Sequence, residues 1–534
     1  MKKFLRGLLS GYFLIILMLL IEIALLIIIN FYFDDLIALI LQSLDISVED
    51  KVIVAIAVML GYALVKGIAF IIGLIIFFKI VNRQEDPEFK IPWIVGMLLL
   101  PFFFSVLFLI FGRHSLRKKD RVIVSATKNA YNAHFLLKED ELAKQKKELG
   151  DAAGAFQYLH NITSLGATKN NRVTYFKTGE QFFPDLIESL KKAKEFIFIE
   201  FFIITDGKEW SAVTDVLKQK AQEGVDVRIV YDDMGCSGTI SYFTPRRLKK
   251  YGIKCYKFHP FRPILSGVYN NRDHRKIVVI DHQFGYTGGC NLADEYANVI
   301  KRFGYWKDTM VKIEGRAINN LIATFLQNYD LCTGFVSDFN KFLLFDYPKY
   351  NDDGYVMPFG DGPGGIDDAL VGEQNYVNML HYAKKSVYIS TPYLVPTYQL
   401  LDAMRNAAYR GVDIHLILPG IPDKKAVYAV AKSYFRWLMD AGVKIHIYKP
   451  GFNHMKTMIV DDELAFVGTI NYDFRSLVHH FECGTLLYKT KCCKEIREDF
   501  DEMISVSTLV PQNFKLKLGT RWFCSLVKII TPLL

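Results

Sequence analysis

One eight-residue pattern occurs twice in this chain, and no other feature constrains the fold as much. His274-Arg275-Lys276-Ile277-Val278-Val279-Ile280-Asp281 has the form H-x-K-x-x-x-x-D, and His454-Met455-Lys456-Thr457-Met458-Ile459-Val460-Asp461 repeats it 180 residues later. Each copy is followed at the same offset by Gly-x-x-Asn, as Gly288-Gly289-Cys290-Asn291 and Gly468-Thr469-Ile470-Asn471. A lone copy would read as an ordinary His and Lys on a strand, solvated or satisfied within a core. Two copies with matching sequels imply a duplicated half-site, and therefore two similar halves that must meet.

The flanking sequence has the same periodicity. Gly224-Val225-Asp226-Val227-Arg228-Ile229-Val230 matches Gly411-Val412-Asp413-Ile414-His415-Leu416-Ile417, and Gly252-Ile253-Lys254 matches Gly442-Val443-Lys444. Each is a helix, a glycine-bearing turn and a β-branched strand, which is α/β patterning. The Gly- and Pro-dense stretch from Gly354 to Asp368 reads as a loop linking the halves. Residues 113–172, rich in Lys, Glu and Ala, read as a helical connector with solvated faces.

The residue types suit a phosphodiester. Alternation along a strand puts the His and Lys of H-x-K on one face. A neutral imidazole can attack phosphorus. A second, protonated imidazole can give its proton to the leaving alkoxide and then take one from the incoming alcohol. Lysine ammonium groups and asparagine amides can hold the phosphoryl oxygens. One covalent intermediate and two displacements need two histidines facing each other across the phosphate, which the duplication supplies.

These motifs resemble those of the phospholipase D superfamily, and nearly the full length is similar to the bacterial cardiolipin synthase family. The residues that carry the likeness are His274, Lys276, Asp281, Gly288, Gly289, Asn291, Leu292, Ala293, Asp294 and Glu295 in the first half. In the second they are His454, Lys456, Asp461, Gly468, Asn471, Asp473, Arg475 and Ser476. Further matches are Glu200, Thr391-Pro392-Tyr393 and Trp306-Lys307-Asp308. The resemblance implies that His274 is the nucleophile and His454 the general acid and base, with the reverse order as the alternative. It implies that Lys276, Lys456, Asn291 and Asn471 bind the phosphate, and that Asp308 and Glu482 each hold one imidazole in its working tautomer. The motif aspartates Asp281 and Asp461 belong to the catalytic signature but are expected to support the fold rather than touch substrate. No metal and no cofactor are implied.

Length and hydropathy add the membrane. The chain has 534 residues, 51% of them hydrophobic, a mean hydropathy of +0.15 and a net charge of +9. The basic excess favours an anionic partner, lipid or nucleic acid. Three apolar runs, at 11–32, 52–80 and 91–111, precede every motif. They predict transmembrane helices and choose lipid over nucleic acid. Glu22 and Lys66 lie within the first two runs and are expected to pair. The basic cluster Arg113, Arg117, Lys118, Lys119 and Arg121 places the enzymatic part on the cytoplasmic side of a multi-pass bacterial protein, although Lys2, Lys3 and Arg6 argue the opposite orientation for three full spans. Eight cysteines without metal-ligand spacing read as free thiols.

The expected fold is α/β: N-terminal transmembrane helices followed by two pseudo-symmetric phospholipase D-type α/β/α repeats. The expected divisions are 1–112 transmembrane, 113–172 connector, 173–353 and 354–516 the two repeats, and 517–534 an amphipathic tail. The tail either lies on a membrane surface or packs onto the enzymatic part. The resemblance implies a reaction that joins two phosphatidylglycerols into cardiolipin and glycerol, so the implied substrate partner is anionic phospholipid. The motifs alone equally admit water or serine as the acceptor, and a catalytically dead membrane scaffold is the competing class.

Overall fold

The computed structural model describes Leu20, Gln42 and residues 47–84, 86–112, 116–135, 139–260, 270–352, 354–363 and 369–531. The chain divides into two units. One comprises Met1–Arg113, Arg262–Val268 and Ile529–Leu534, and the other His114–Phe261 and Tyr269–Lys528.

In the first unit, the apolar run from 52 lies within one helix, Val48–Val81, of 34 residues. Ser47 caps its start by accepting from the amide of Asp50. The third run is not one helix. It is split into Pro87–Leu99 and Pro101–Phe111, with Leu100 out of helical conformation between them. Pro101 is the cause: it offers no N–H and pushes the preceding residue away from the helical region. Ile76, Ile80, Trp93, Met97 and Phe108 form a small core among these helices. Among the described residues, no helix combines the length and apolar content needed to cross a membrane. The side chains of Tyr62, Val65, Lys66 and Ala69 within Val48–Val81 are outside the described ones. The run at 11–32 and the expected Glu22–Lys66 pair also lie outside the described residues.

The second unit contains the duplication. Its first half has the strands β1 (Arg172–Phe176), β2 (Phe196–Phe201), β3 (Asp226–Asp232), β4 (Lys254–Phe258), β5 (Lys276–Ile280), β6 (Phe284–Gly288), β7 (Tyr305–Lys307) and β8 (Met310–Glu314). Its second half has β9 (Tyr355–Asp361), β10 (Ser386–Ser390), β11 (Leu394–Val395), β12 (Asp413–Pro419), β13 (Lys444–Tyr448), β14 (Gly451–Asn453), β15 (Thr457–Val460), β16 (Leu464–Gly468), β17 (Tyr472–Asp473), β18 (Glu482–Tyr488) and β19 (Ser507–Leu509). The first main sheet runs β1-β8-β6-β5-β2-β3-β4 and the second β19-β13-β12-β10-β15-β16-β18-β9. Read from opposite ends, the two orders coincide strand for strand, with β19 the one addition. Both sheets are mixed: β2, β3 and β4 are parallel, as are β10, β12 and β13, and the motif strands β5 and β15 join antiparallel. This is a mixed α/β fold with two sheet-bearing repeats.

The stretch from Gly354 is not all linker. Tyr355–Asp361 forms β9, paired along its length with β18 at the edge of the second sheet. Pro358 is tolerated because an edge strand needs no donor on its outer side. Gly360 fits because a Cβ there would come within 2.9 Å of Thr324 Cγ2. Residues 113–172 include the helices Lys118–Phe135, Glu139–Leu149 and Ala153–Thr163. These helices bury Tyr131, Phe135, Phe156 and Leu159, so they are part of the packed unit. All eight cysteines are free thiols.

Candidate active site

The two motif strands bring their histidines to one cavity of about 400 Å³, lined by His274, His454, Asn291, Asn471, Tyr296 and His480 among others. Each motif is fixed by cross-repeat backbone pairing. The amide of His274 donates to Phe481 O and that of His454 to Lys307 O, both at 2.8 Å. β7 and β14 form a short parallel ladder between the repeats. Arg275, the middle residue of the first H-x-K, is buried and spans the interface. It donates from Nε to Glu482 O (2.9 Å) and from Nη2 to Asp361 O (2.9 Å).

The acids sit at equivalent positions. Gly288 pairs with Met310 and Gly468 with Gly484. Two residues before those partners stand Asp308 and Glu482. Each reaches the histidine of the other repeat: His454 Nδ1 is 2.6 Å from Asp308 Oδ2, and His274 Nδ1 is 2.8 Å from Glu482 Oε2. A carboxylate on Nδ1 holds the proton there and leaves Nε2 with a free lone pair. Lys456 Nζ also lies 2.8 Å from His454 Nδ1. Because that nitrogen gives its proton to Asp308, the ammonium donates instead to His454 O. Lys276 repeats this arrangement on His274 O at 2.6 Å.

Both glycine-turn residues after the motifs serve these acids. A Cβ on Gly289 would lie 1.9 Å from Asp308 Oδ1, so only glycine leaves that carboxylate in place. Thr469, its counterpart, donates its hydroxyl to Glu482 Oε2 and accepts from the Cys483 amide at 3.0 Å. Sequence reasoning attached no role to Thr469; its meaning depends on Glu482, thirteen residues away.

Asn291 and Asn471 face the cavity in matching fashion. Each donates from Nδ2 to the hydroxyl five residues on, Tyr296 at 2.6 Å and Ser476 at 3.1 Å. Asp281 and Asp461 lie away from the cavity. Each takes a left-handed conformation (φ 52° and 51°) that aspartate tolerates better than most residues. Asp281 accepts from the amides of Lys194, Glu195 and Phe196, and Asp461 from those of Lys384, Lys385 and Ser386. They lock the turn that precedes β2 and β10, the neighbours of the motif strands. Glu200 is buried beneath the site and accepts from Asn328 at 2.8 Å.

Burial dominates the electrostatics. It lowers His274 well below the usual imidazole range, with Lys276 adding to the effect. It lowers His454 to about 4, with Lys456 adding and Asp308 opposing. It brings Lys276 down to about 8 and Lys456 to about 7, with Glu482 and Asp308 respectively opposing. Glu482 is pushed upward by burial, against the pull of Lys276 and the Thr469 hydroxyl. Two imidazoles on one cavity, each with a buried lysine beside it, make a site that an anionic phosphate would relieve.

Sequence reasoning also missed His480. Its ring lies 5.5 Å from that of His274, and its Nδ1 is 3.4 Å from Glu482 Oε1. Its closeness in sequence to Glu482 was the available signal. His274, His480 and Glu482 form the one group with metal-ligand spacing among the described residues, and it coincides with the imidazole–carboxylate pair already described.

The family described as cardiolipin synthase, phospholipase D-like domain, matches residues 186–328 and 376–504. A protein of Streptococcus mutans, described only as uncharacterized, is 42% identical over 85% of this chain and 98% of its own. A cardiolipin synthase 2 of Bacillus anthracis is 34% identical over 87% of this chain and 90% of its own. A cardiolipin synthase of Staphylococcus aureus is 31% identical over 88% of this chain and 94% of its own. Among solved structures, phosphatidylserine synthase of Haemophilus influenzae superposes with a TM-score of 0.55 at 14% identity, covering 72% of this chain and all of its own, a likeness of fold. With both halves matched and relatives aligned over most of their length, this chain belongs to the cardiolipin synthase family, the phosphatidyltransferases of the phospholipase D superfamily.

Proposed function

We propose that the protein joins two phosphatidylglycerol molecules into cardiolipin and releases glycerol through a phosphohistidine intermediate. The observation that carries this reading is the pair of cross-repeat contacts, Glu482 to His274 and Asp308 to His454. They give one cavity two imidazoles with free Nε2 atoms. In the first step the bound anionic phosphate lets His454 carry a second proton, on Nε2; His274 Nε2 attacks phosphorus, the bond from phosphorus to the glycerol oxygen breaks, and His454 Nε2 gives its proton to that oxygen. In the second step His454 takes the proton from a hydroxyl of another phosphatidylglycerol, whose oxygen attacks phosphorus and breaks the N–P bond. Both histidines return to their starting state. Lys276, Lys456, Asn291 and Asn471 hold the phosphoryl oxygens as charge builds on them.

Membrane association supports a lipid acceptor over water, because lipid alcohol is concentrated at the surface. The helix Val48–Val81 leaves Ile53, Leu60, Leu64, Phe70, Ile71 and Ile75 exposed, each between 57% and 67%. At 1.5 Å per residue its length of about 50 Å exceeds a bilayer's hydrocarbon thickness. The reading is of a multi-pass membrane anchor formed by residues 1–112, with the repeats 173–353 and 354–516 on the cytoplasmic side.

The test is lipid mass spectrometry on purified protein in phosphatidylglycerol vesicles. Cardiolipin with one glycerol released per molecule is expected. Phosphatidic acid alone would show that water is the acceptor and overturn the transfer.

A further inference from the structure

The helix Leu518–Ile530 turns large apolar side chains away from the protein. Leu518 is 69% exposed, Trp522 69% and Leu526 65%. Spaced by four, they form one stripe. The opposite face does the packing: Cys524 is buried with Sγ 3.3 Å from Ala429 O, and Lys528 Nζ stands 3.7 Å over the Tyr434 ring. The helix therefore has its docking face satisfied and a second apolar face left over.

A cationic cavity lies beside it. The helix Lys425–Met439 and residues 514–520 border an open cavity of about 380 Å³, lined by Lys425, Lys432, Lys515 and Lys517 with no carboxylate in the lining. Four ammonium groups gathered around a cavity without a counter-charge suit an anionic ligand. The neighbouring stripe suits the apolar part of the same ligand, since interfacial helices combine an apolar face with flanking lysines.

The position ties this surface to catalysis. Asp423 and Lys424 line the reactive cavity, while Pro422 and Lys425 line the lysine cavity. The two openings flank one four-residue segment at the start of the same helix.

We propose that this surface is a second, non-catalytic lipid site. The lysine cavity takes the anionic phosphate headgroup of a bilayer phospholipid, and the Leu518, Trp522 and Leu526 stripe enters the bilayer beside it. The mouth of the reactive cavity is thereby brought to the membrane surface. The inference stands apart from the phosphohistidine chemistry and can be tested without turnover.

The full chain carrying His274→Ala is reconstituted in lipid nanodiscs with brominated phosphatidylcholine as quencher. Trp522 emission is isolated as the difference from a Trp522→Phe protein. Quenching of Trp522 is expected in discs containing phosphatidylglycerol. A Lys425→Gln, Lys432→Gln, Lys515→Gln, Lys517→Gln protein with unchanged melting temperature should need at least about tenfold more phosphatidylglycerol for equal quenching, since each lysine near an anionic surface is worth about fivefold in binding. A Leu518→Ser, Leu526→Ser protein should lose the quenching. Trp522 left unquenched in anionic discs would overturn the proposal. So would quenching that is equal in purely neutral discs and in the four-lysine variant.

Discussion

Nδ1 of His274 lies 2.8 Å from Oε2 of Glu482, a residue of the other repeat. The reciprocal contact, His454 with Asp308 at 2.6 Å, crosses in the opposite direction. Neither half therefore supplies the carboxylate that holds its own motif histidine.

Glu482→Gln and Asp308→Asn should test this directly. Either amide can accept from Nδ1–H or present an N–H to it, so the tautomer is no longer fixed. A loss of turnover on the order of 10²- to 10⁴-fold is expected, by analogy with the loss of an orienting carboxylate in a catalytic triad. The folded structure, read by circular dichroism, should be preserved. Turnover within a few-fold of the parent would count against the orienting role.

The duplicated motif made much of this legible. His274, His454, Asn291 and Asn471 all reach one cavity, Lys276 and Lys456 each bond to the carbonyl of the motif histidine beside them, and Asp308 and Glu482 each meet a histidine. The alternation of sheet strands was equally readable, because periodicity reports burial locally. What was not legible depends on distant partners. Thr469 acquires its role only from Glu482, and Arg275 only from the backbone of the facing repeat. β9 was hidden by Pro358, Gly360 and Gly362, which read as loop until an edge position explains them. The third apolar run looked continuous, although Pro101 divides it.

Gly289→Ala should act through Asp308. The added methyl would have to displace the carboxylate, and at least about a tenfold fall in kcat is expected if the hydrogen bond to His454 is lost or lengthened. Thr469→Val removes a single hydroxyl from Glu482 and should cost less, about 1–2 kcal/mol of transition-state stabilisation. Equal effects from the two changes would contradict the different contacts they make. Steady-state kinetics on both proteins decides it.

Asp281→Ala or Asp461→Ala should destabilise without altering the chemistry. Each removes the acceptor for three backbone amides and leaves a left-handed alanine. A loss of roughly 2–4 kcal/mol is expected. Denaturant unfolding gives the stability, and kcat per folded molecule should stay within about twofold, as befits a residue remote from the reacting atoms.

Stability should fall as pH drops from about 6.5 to about 4. His454 is held neutral in the folded protein, at about 4, against about 6.5 when unfolded. Below 6.5 the unfolded chain takes the proton first, so the contribution is fully present above 6.5 and is lost progressively down to the folded value. It amounts to roughly 3 kcal/mol. His274 shifts in the same direction. Unfolding followed across this window should show a shallower decline in a His454→Gln protein. An identical slope would mean that His454 does not titrate as described.

The most direct test of the central claim is to trap the intermediate. The protein is mixed with short-chain phosphatidylglycerol, quenched in alkali, where phosphoramidates survive, and digested for peptide mass spectrometry. A phosphatidyl adduct is predicted on the peptide carrying His274, absent from a His274→Asn protein. An adduct on His454, or cardiolipin formed with no adduct on either histidine, would contradict the account.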